Sequence, residues 1–269
     1  MNRILLVGCG HMGSSLLKAW SLKTDNKFIV VDPVQHSKIN KKFKSNVKAV
    51  KSILDLKNIL IFDIVIFAIK PQIAEEVLKQ FKIYKFKKKT IFVSIVAGKK
   101  IHFFNNYLPK YNQFIRVMPN MPAVVNQGMS CLMANNKVSK RNKLNIEKLF
   151  NIVGQTIWLS NESDIDKVTA ISGSGPGYIF LFVDAFEHAA LKLGLSKKIT
   201  KKLVYQTFYG SINLLVNQKL TAETLTKNIA VKGGTTESGI FYFKKNQLLH
   251  KLFTKVINAS YVRSKKLGK

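Results

Sequence analysis

Acidic side chains are scarce in this chain: 14 Asp and Glu stand against 44 Lys and Arg in 269 residues, a formal net charge of +30. Such an excess raises nucleic acid or an anionic surface as a partner. The lysines, however, are spread from Lys18 to Lys269 without aromatic interleaving, and no helix-turn-helix, zinc-finger or RNA-binding motif accompanies them. The charge therefore reads as a compositional bias of solvated faces that draws in anionic small molecules, and nucleic acid is not an expected partner. Cysteine is nearly missing. Cys9 and Cys131 form no CxxC pair and suit a reducing cytosol. The five histidines, His11, His36, His102, His188 and His250, lack HExxH-type spacing, so no metal is expected. Long apolar runs are missing too: the stretch from Ile59 to Ile69 is broken by Asp63 and falls well short of the about 18 residues of a membrane span. The chain enters a strand almost at once, without signal-peptide features, and a soluble cytoplasmic protein with no membrane partner is expected.

What is present is a hydrophobic content of 46%, enough for a folded core, and a length that allows two ordinary domains. The run Ile4-Leu5-Leu6-Val7 leads into Gly8-Cys9-Gly10-His11-Met12-Gly13, with a helix from Ser14 and a second apolar run, Phe28 to Val31, closed by Asp32. Strand, glycine turn, helix, strand and carboxylate together make a dinucleotide-binding unit. The first glycine permits the turn, the second lets the backbone approach a pyrophosphate, and the third lets helix pack on strand. The helix start turns free N–H groups and positive dipole toward the phosphates. Asp32 lies 19 residues after Gly13, where a carboxylate accepts from a ribose 2′-hydroxyl, which tilts the expected cofactor from NADPH toward NADH. Lys38, Lys41 and Lys42 partly offset that tilt, and Cys9 reads as a small filler of the turn.

Further strands are expected at Ile64–Ile69, Thr90–Val96, Arg116–Pro119 and Met129–Met133, with helical spacing from Ile73 to Phe81 and a weakly patterned basic segment to Lys51. Alternation of strand and helix implies a mostly parallel sheet covered on both faces. Ligands gather beyond the carboxyl ends of such strands, which adds Ala68, Lys70, Pro71, Ala97 and Asn120 to Gly8, Gly10, His11, Met12, Gly13 and Asp32 as cofactor-binding candidates. From Ser163 onward the pattern is helical. One helix has Pro176 in its first turn and ends at Gly194, and a second runs from about Ser196 to Gln218. Phe180, Leu181 and Phe182 spread apolar surface beyond one stripe, so burial against a second subunit is expected. Residues 263–269 read as a frayed basic tail. The fold class is α/β, an N-terminal Rossmann-type doubly wound sheet over residues 1–160 followed by an all-α dimerisation domain over 161–269.

Two polar segments in the helical half, Ser172-Gly173-Ser174-Gly175-Pro176-Gly177 and Gly233-Gly234-Thr235-Thr236, read as glycine-rich turns feeding helix starts. Such turns can aim N–H and hydroxyl groups at a small carboxylate, though each also suits a plain capped helix.

Taken with Ala68-Ile69-Lys70-Pro71-Gln72, Arg116-Val117-Met118-Pro119-Asn120-Met121-Pro122 and Val168 to Ile171, these segments resemble the Δ1-pyrroline-5-carboxylate reductase family, in order from residue 3 to about 267. The resemblance implies NAD(P)H-dependent reduction of L-1-pyrroline-5-carboxylate to L-proline by a homodimer or higher homo-oligomer. It implies a small-molecule imine substrate held by Ser172, Gly173, Ser174, Gly175, Pro176, Gly233, Gly234, Thr235 and Thr236, with Thr236 the catalytic residue beside the ring nitrogen. The amides of Gly233, Gly234 and Thr235 are expected to hold the substrate carboxylate. Val231-Lys232 stands where the family has Ser-Pro, Gly177 replaces an alanine and Met121 a threonine. Two alternatives carry different signatures. A 3-hydroxyacid dehydrogenase-like reductase would use Lys167 or Lys192, and a nucleotide-sensing or basic nucleic-acid binder would keep the fold without catalysis.

Overall fold

The computed structural model describes residues 1–43, 46–56 and 61–268; Lys269 and the first residues of the apolar stretch 59–69 lie outside them. Two compact units form, one of residues 1–174 with 260–269 and one of residues 175–259.

The first unit is built on β1 (Arg3–Val7), β2 (Lys27–Val31), β3 (Val47–Val50), β4 (Ile64–Phe67), β5 (Ile91–Ser94), β6 (Phe114–Met118), β7 (Gly128–Ala134) and β8 (Gly154–Trp158). They lie in the order β3-β2-β1-β4-β5-β6-β7-β8, parallel throughout except where β7 runs antiparallel to β6. Strand order reverses between β1 and β4, which opens a crevice beyond their carboxyl ends. Along β1, Ile4 and Leu6 join a core with Leu16, Leu17 and Trp20 of α1 (His11–Lys23) and Ile146, Leu149 and Phe150 of α5 (Lys140–Asn151). Leu5 and Val7 point into the other core with Leu78 and Phe81 of α3 (Ala74–Phe81) and Phe104 of α4 (Ile101–Tyr107). Burial on both faces explains why the central strands read as unbroken apolar runs.

The expected strands at Ile4–Val7, Phe28–Val31, Ile64–Ile69, Thr90–Val96, Arg116–Pro119 and Met129–Met133 are present, with ends shifted by up to two or three residues. Two strands were not anticipated. β3 and α2 (His36–Lys42) fold from the basic segment, where Ile39, Val47 and Ala49 turn inward. β8 is an edge strand with alternating partial exposure; Gly154 is at φ 145°, and a side chain there would overlap the Gly128 carbonyl. The basic tail is a correction: helix α11 (Leu248–Leu267) continues through it. Ser264 is buried and donates to Asp166 Oδ1 at 2.6 Å, and the Leu267 backbone packs on Gly98.

The second unit holds α7 (Gly175–Leu191), α8 (Lys197–Asn217), α9 (Ala222–Ile229), α10 (Thr235–Lys244) and the start of α11. Phe182 and Phe186 of α7 meet Phe208 of α8 at centroid distances of 6.1 and 5.7 Å. Large apolar groups remain uncovered: Leu181 is 70% exposed, Tyr209 68% and Tyr242 71%. No helix among the described residues is long and apolar enough to cross a membrane.

Trp20 is the hinge of the first core. Its ring is fully buried against Phe28 and Phe150, and its indole N–H donates at 2.8 Å to the carbonyl of Leu149 in the last turn of α5, where helical carbonyls lose their own donors. Trp20→Phe keeps a ring but removes that donor, and stability is expected to fall by about 1–3 kcal/mol. A urea denaturation curve with an unshifted midpoint would exclude the role.

Candidate active site

The glycine turn sits on the crevice between β1 and β4. Gly8 has φ 90°, and a Cβ on it would lie 2.6 Å from the Ala68 carbonyl oxygen at the end of β4. A Cβ on Gly13 would lie 2.6 Å from the Gly8 carbonyl, so α1 approaches the strand at a distance only glycine allows. Gly10 has open space where its side chain would be and is exposed. Two glycines are thus required by protein contacts, and the third leaves room for a ligand. Helix α1 begins at His11, earlier than the expected Ser14, and its Gly10 cap supplies no side-chain acceptor for the first-turn N–H groups. This cradle fits a pyrophosphate. Exposed His11 and half-buried Met12 lie in that first turn, while Ala68, Pro71 and Ala97 are half-buried and Lys70 is exposed at the ends of β4 and β5.

The Asp32 carboxylate is buried, and both oxygens already accept backbone N–H groups: Oδ2 from Cys9 at 2.7 Å, Oδ1 from Val34 at 2.9 Å and Gln35 at 2.7 Å. The side chain latches the glycine turn to the β2–α2 turn. Burial, reinforced by the Asp32 charge, pushes the Cys9 thiol up to about 12, which keeps it protonated and inert as a nucleophile.

The segment expected as a glycine-rich turn at Ser172 is instead a π-helical turn. It spans Thr169–Gly173 between α6 (Asp164–Val168) and α7, and Ser174 N–H reaches back five residues to the Thr169 carbonyl at 2.8 Å. Such single π turns occur often at functional sites. Ser172, Gly173, Ser174, Gly175 and Pro176 are all half-buried. Asn120, expected among the cofactor contacts, is buried with its amide engaged: Oδ1 accepts from Met129 N–H at 2.8 Å, and Nδ2 donates to the Ser172 carbonyl at 3.0 Å.

The Gly233–Thr236 segment does precede a helix, α10, with Gly233 at φ 75° and Gly234 as the cap. Two of the three amides expected to hold a carboxylate are occupied: Gly233 N–H donates to Glu237 Oε2 at 2.7 Å and Gly234 N–H to the Val231 carbonyl at 3.0 Å. Thr235 and the half-buried Thr236 carry first-turn N–H groups and hydroxyls that make no side-chain hydrogen bond among the described residues.

One anchor escaped the sequence reading. Arg116, 3% exposed in β6, donates from Nη1 to Glu162 Oε1 at 2.9 Å, and the same oxygen accepts from Ile101 N–H at 2.7 Å. An arginine inside the apolar strand Phe114–Met118 was the available signal, because a buried guanidinium needs a carboxylate partner. The alternative lysine mechanism loses its candidate at Lys167, which is exposed and paired with Asp164 at 2.7 Å; that hydrogen bond raises its pKa and keeps it charged.

Comparison with known proteins bears on both halves of the chain. Residues 162–267 match the family described as pyrroline-5-carboxylate reductase dimerisation, and residues 3–98 match the one described as NADP oxidoreductase, coenzyme F420-dependent. A pyrroline-5-carboxylate reductase of Pseudomonas aeruginosa is 33% identical over 276 residues, covering 99% of this chain and 97% of that protein. Among solved structures, the pyrroline-5-carboxylate reductase of Coxiella burnetii has a TM-score of 0.89 at 30% identity, covering 100% of this chain and 99% of that one. That of Plasmodium falciparum, solved with NADP bound, has a TM-score of 0.86 at 29% identity, covering 100% and 98%. The similarity runs through the glycine cradle and the helical segments alike, and the chain belongs to the pyrroline-5-carboxylate reductase family.

Proposed function

We propose that this protein reduces L-1-pyrroline-5-carboxylate to L-proline with hydride from NAD(P)H, the last step of proline biosynthesis. The observation that carries this reading is the 33% identity that extends through 99% of the chain, across both the cradle and the helical half. Residues 1–160 act as the cofactor half and 161–269 as the half for substrate and dimerisation. Reduced dinucleotide, when bound, supplies the hydride. Gly8, Gly10 and Gly13, with the His11–Met12 N–H groups, hold its pyrophosphate, and Ala68, Lys70, Pro71 and Ala97 line its path along the strand ends.

A cyclic imine is electrophilic once its nitrogen is protonated, so the protein must align it and keep that proton; it need not deliver a strong acid. Ser172 to Pro176 shape one wall of the substrate site. Gly233 and Gly234 form the turn that presents the Thr235 amide to the substrate carboxylate. The Thr236 hydroxyl accepts the ring N–H and so orients the C=N carbon toward the donor. Thr236→Ala is expected to lower kcat by about 10-fold or more while leaving the thermal midpoint nearly unchanged. Steady-state kinetics with pyrroline-5-carboxylate test this, and wild-type turnover in the variant would remove Thr236 from the mechanism.

The charge of Asp32 at the end of β2 disfavours a 2′-phosphate, which makes NADH the proposed preferred donor despite the engaged oxygens. Catalytic efficiency with NADH should exceed that with NADPH, and Asp32→Asn should weaken both by loosening the Cys9 amide while narrowing their ratio. A wild-type preference for NADPH would show that the neighbouring lysines dominate.

A second copy of this chain is proposed to cover the exposed apolar faces of α7, α8 and α10, including a groove of about 1300 Å³ lined by Val183, Tyr205 and Phe208. Light scattering coupled to size exclusion should give at least twice the 30.4 kDa of one chain; a monomer would refute it. The two unpaired, buried cysteines support a cytoplasmic setting.

A further inference from the structure

We propose that Asn120 is a positioning residue for the substrate, holding the 169–173 turn in its π register by supplying the hydrogen bond that Pro176 withholds. The inference rests on the reading of Ser172 to Pro176 as a substrate wall. In an α-helix the Ser172 carbonyl would accept the N–H of the residue four positions on. That residue is Pro176, which has no N–H. The carbonyl is left without its helical donor, and the turn opens so that Ser174 N–H reaches Thr169 instead of the carbonyl one residue later. Asn120 Nδ2 then donates to the Ser172 carbonyl from 52 residues away.

The geometry requires an amide at position 120. Its oxygen faces a donor, the Met129 N–H at the start of β7, and its nitrogen faces an acceptor. Aspartate would retain the first bond and set a carboxylate against the Ser172 carbonyl; an apolar residue would lose both. Since Asn120 lies two residues past the end of β6 and its Oδ1 is tied to β7, the bond fixes the π turn to the carboxyl end of β6. Gly173 lies on the same support: a Cβ there would be 3.7 Å from Met118 Sδ, in β6. Thr169 Oγ1 also donates to the Ile165 carbonyl at 2.7 Å, a back-bond that helps bend a helix at this point.

Asn120→Asp is expected to raise KM for pyrroline-5-carboxylate by about tenfold while the dissociation constant for NADH, read by its fluorescence, changes by less than about twofold. The opposite split, weaker NADH binding with an unchanged imine KM, would make Asn120 a cofactor contact and overturn the proposal. Pro176→Ala restores the missing N–H, so it should raise the imine KM without losing stability, and it gives a folded variant should Asn120→Asp not fold. In a double-mutant cycle read by thermal melting, the Tm loss from Asn120→Asp should be at least halved in the Pro176→Ala background. Equal losses in the two backgrounds would overturn the coupling. Should even the wild type fail to reduce pyrroline-5-carboxylate, the activity reading fails, whereas the melting cycle and NADH titration still decide the role of Asn120.

Discussion

The close approach of α1 to the carboxyl ends of β1 and β4 is the constraint on which this structure depends. Gly13 lies where any Cβ would strike the Gly8 carbonyl, and Gly8 lies where any Cβ would strike Ala68. Because both contacts are with backbone oxygen, neither can yield by a side-chain rotation. The helix axis is thereby aimed at the crevice where the strand order reverses, and its unsatisfied N–H groups reach the place a pyrophosphate must occupy. Gly10 differs from Gly8 and Gly13 in that a Cβ on it would meet nothing within 4 Å. Its open side suits the proposed pyrophosphate, whereas the other two glycines serve the fold.

In a chain with only 14 acidic residues, three of the carboxylates act mainly on the backbone. Asp32 takes three N–H groups from two turns, Glu162 takes Ile101 N–H together with Arg116, and Glu237 takes Gly233 N–H. Each fixes a loop that would otherwise leave amides unpaired, and hydrogen bonds to an ionised oxygen are stronger than neutral ones. The surface pairs, such as Lys79 with Glu75 and Lys227 with Glu223, are exposed and contribute little. The large positive excess is thus borne by solvated lysines, while Asp32, Glu162 and Glu237 each fix loop backbone.

The central strands and the glycine cradle were legible because burial on both faces leaves an unbroken apolar run, and because steric exclusion at Gly8 and Gly13 leaves a residue-type trace. β3 and β8 were not, since an edge strand with one half-exposed face gives too short an alternation to stand out from a loop. The tail failed for another reason. Its basic composition suggested solvent, yet one small residue, Ser264, and one backbone contact at Leu267 determine that it packs. Asp32 stands at the expected strand end, but its backbone partners were not legible: spacing locates a carboxylate and does not say which donors within the chain reach it.

The Ser172 segment carries this distinction furthest. Its composition, Ser-Gly-Ser-Gly-Pro, is that of a loop, and Pro176 was correctly read as a first-turn proline of α7. The consequence of that proline falls four residues earlier, on a carbonyl deprived of its donor. Local sequence can identify the deficit but not its resolution, because the replacement donor comes from Asn120, beyond two strands and two helices in the chain. An irregular turn of this kind persists only where its surroundings over-determine it. Here the surroundings are a Met129 amide, an Asn120 side chain and the Met118 thioether, all at the end of β6 and the start of β7. A π turn held from outside its own helix has its shape set by the sheet, so a displacement of the β6 end or the β7 start would reach the Ser172 carbonyl through one hydrogen bond.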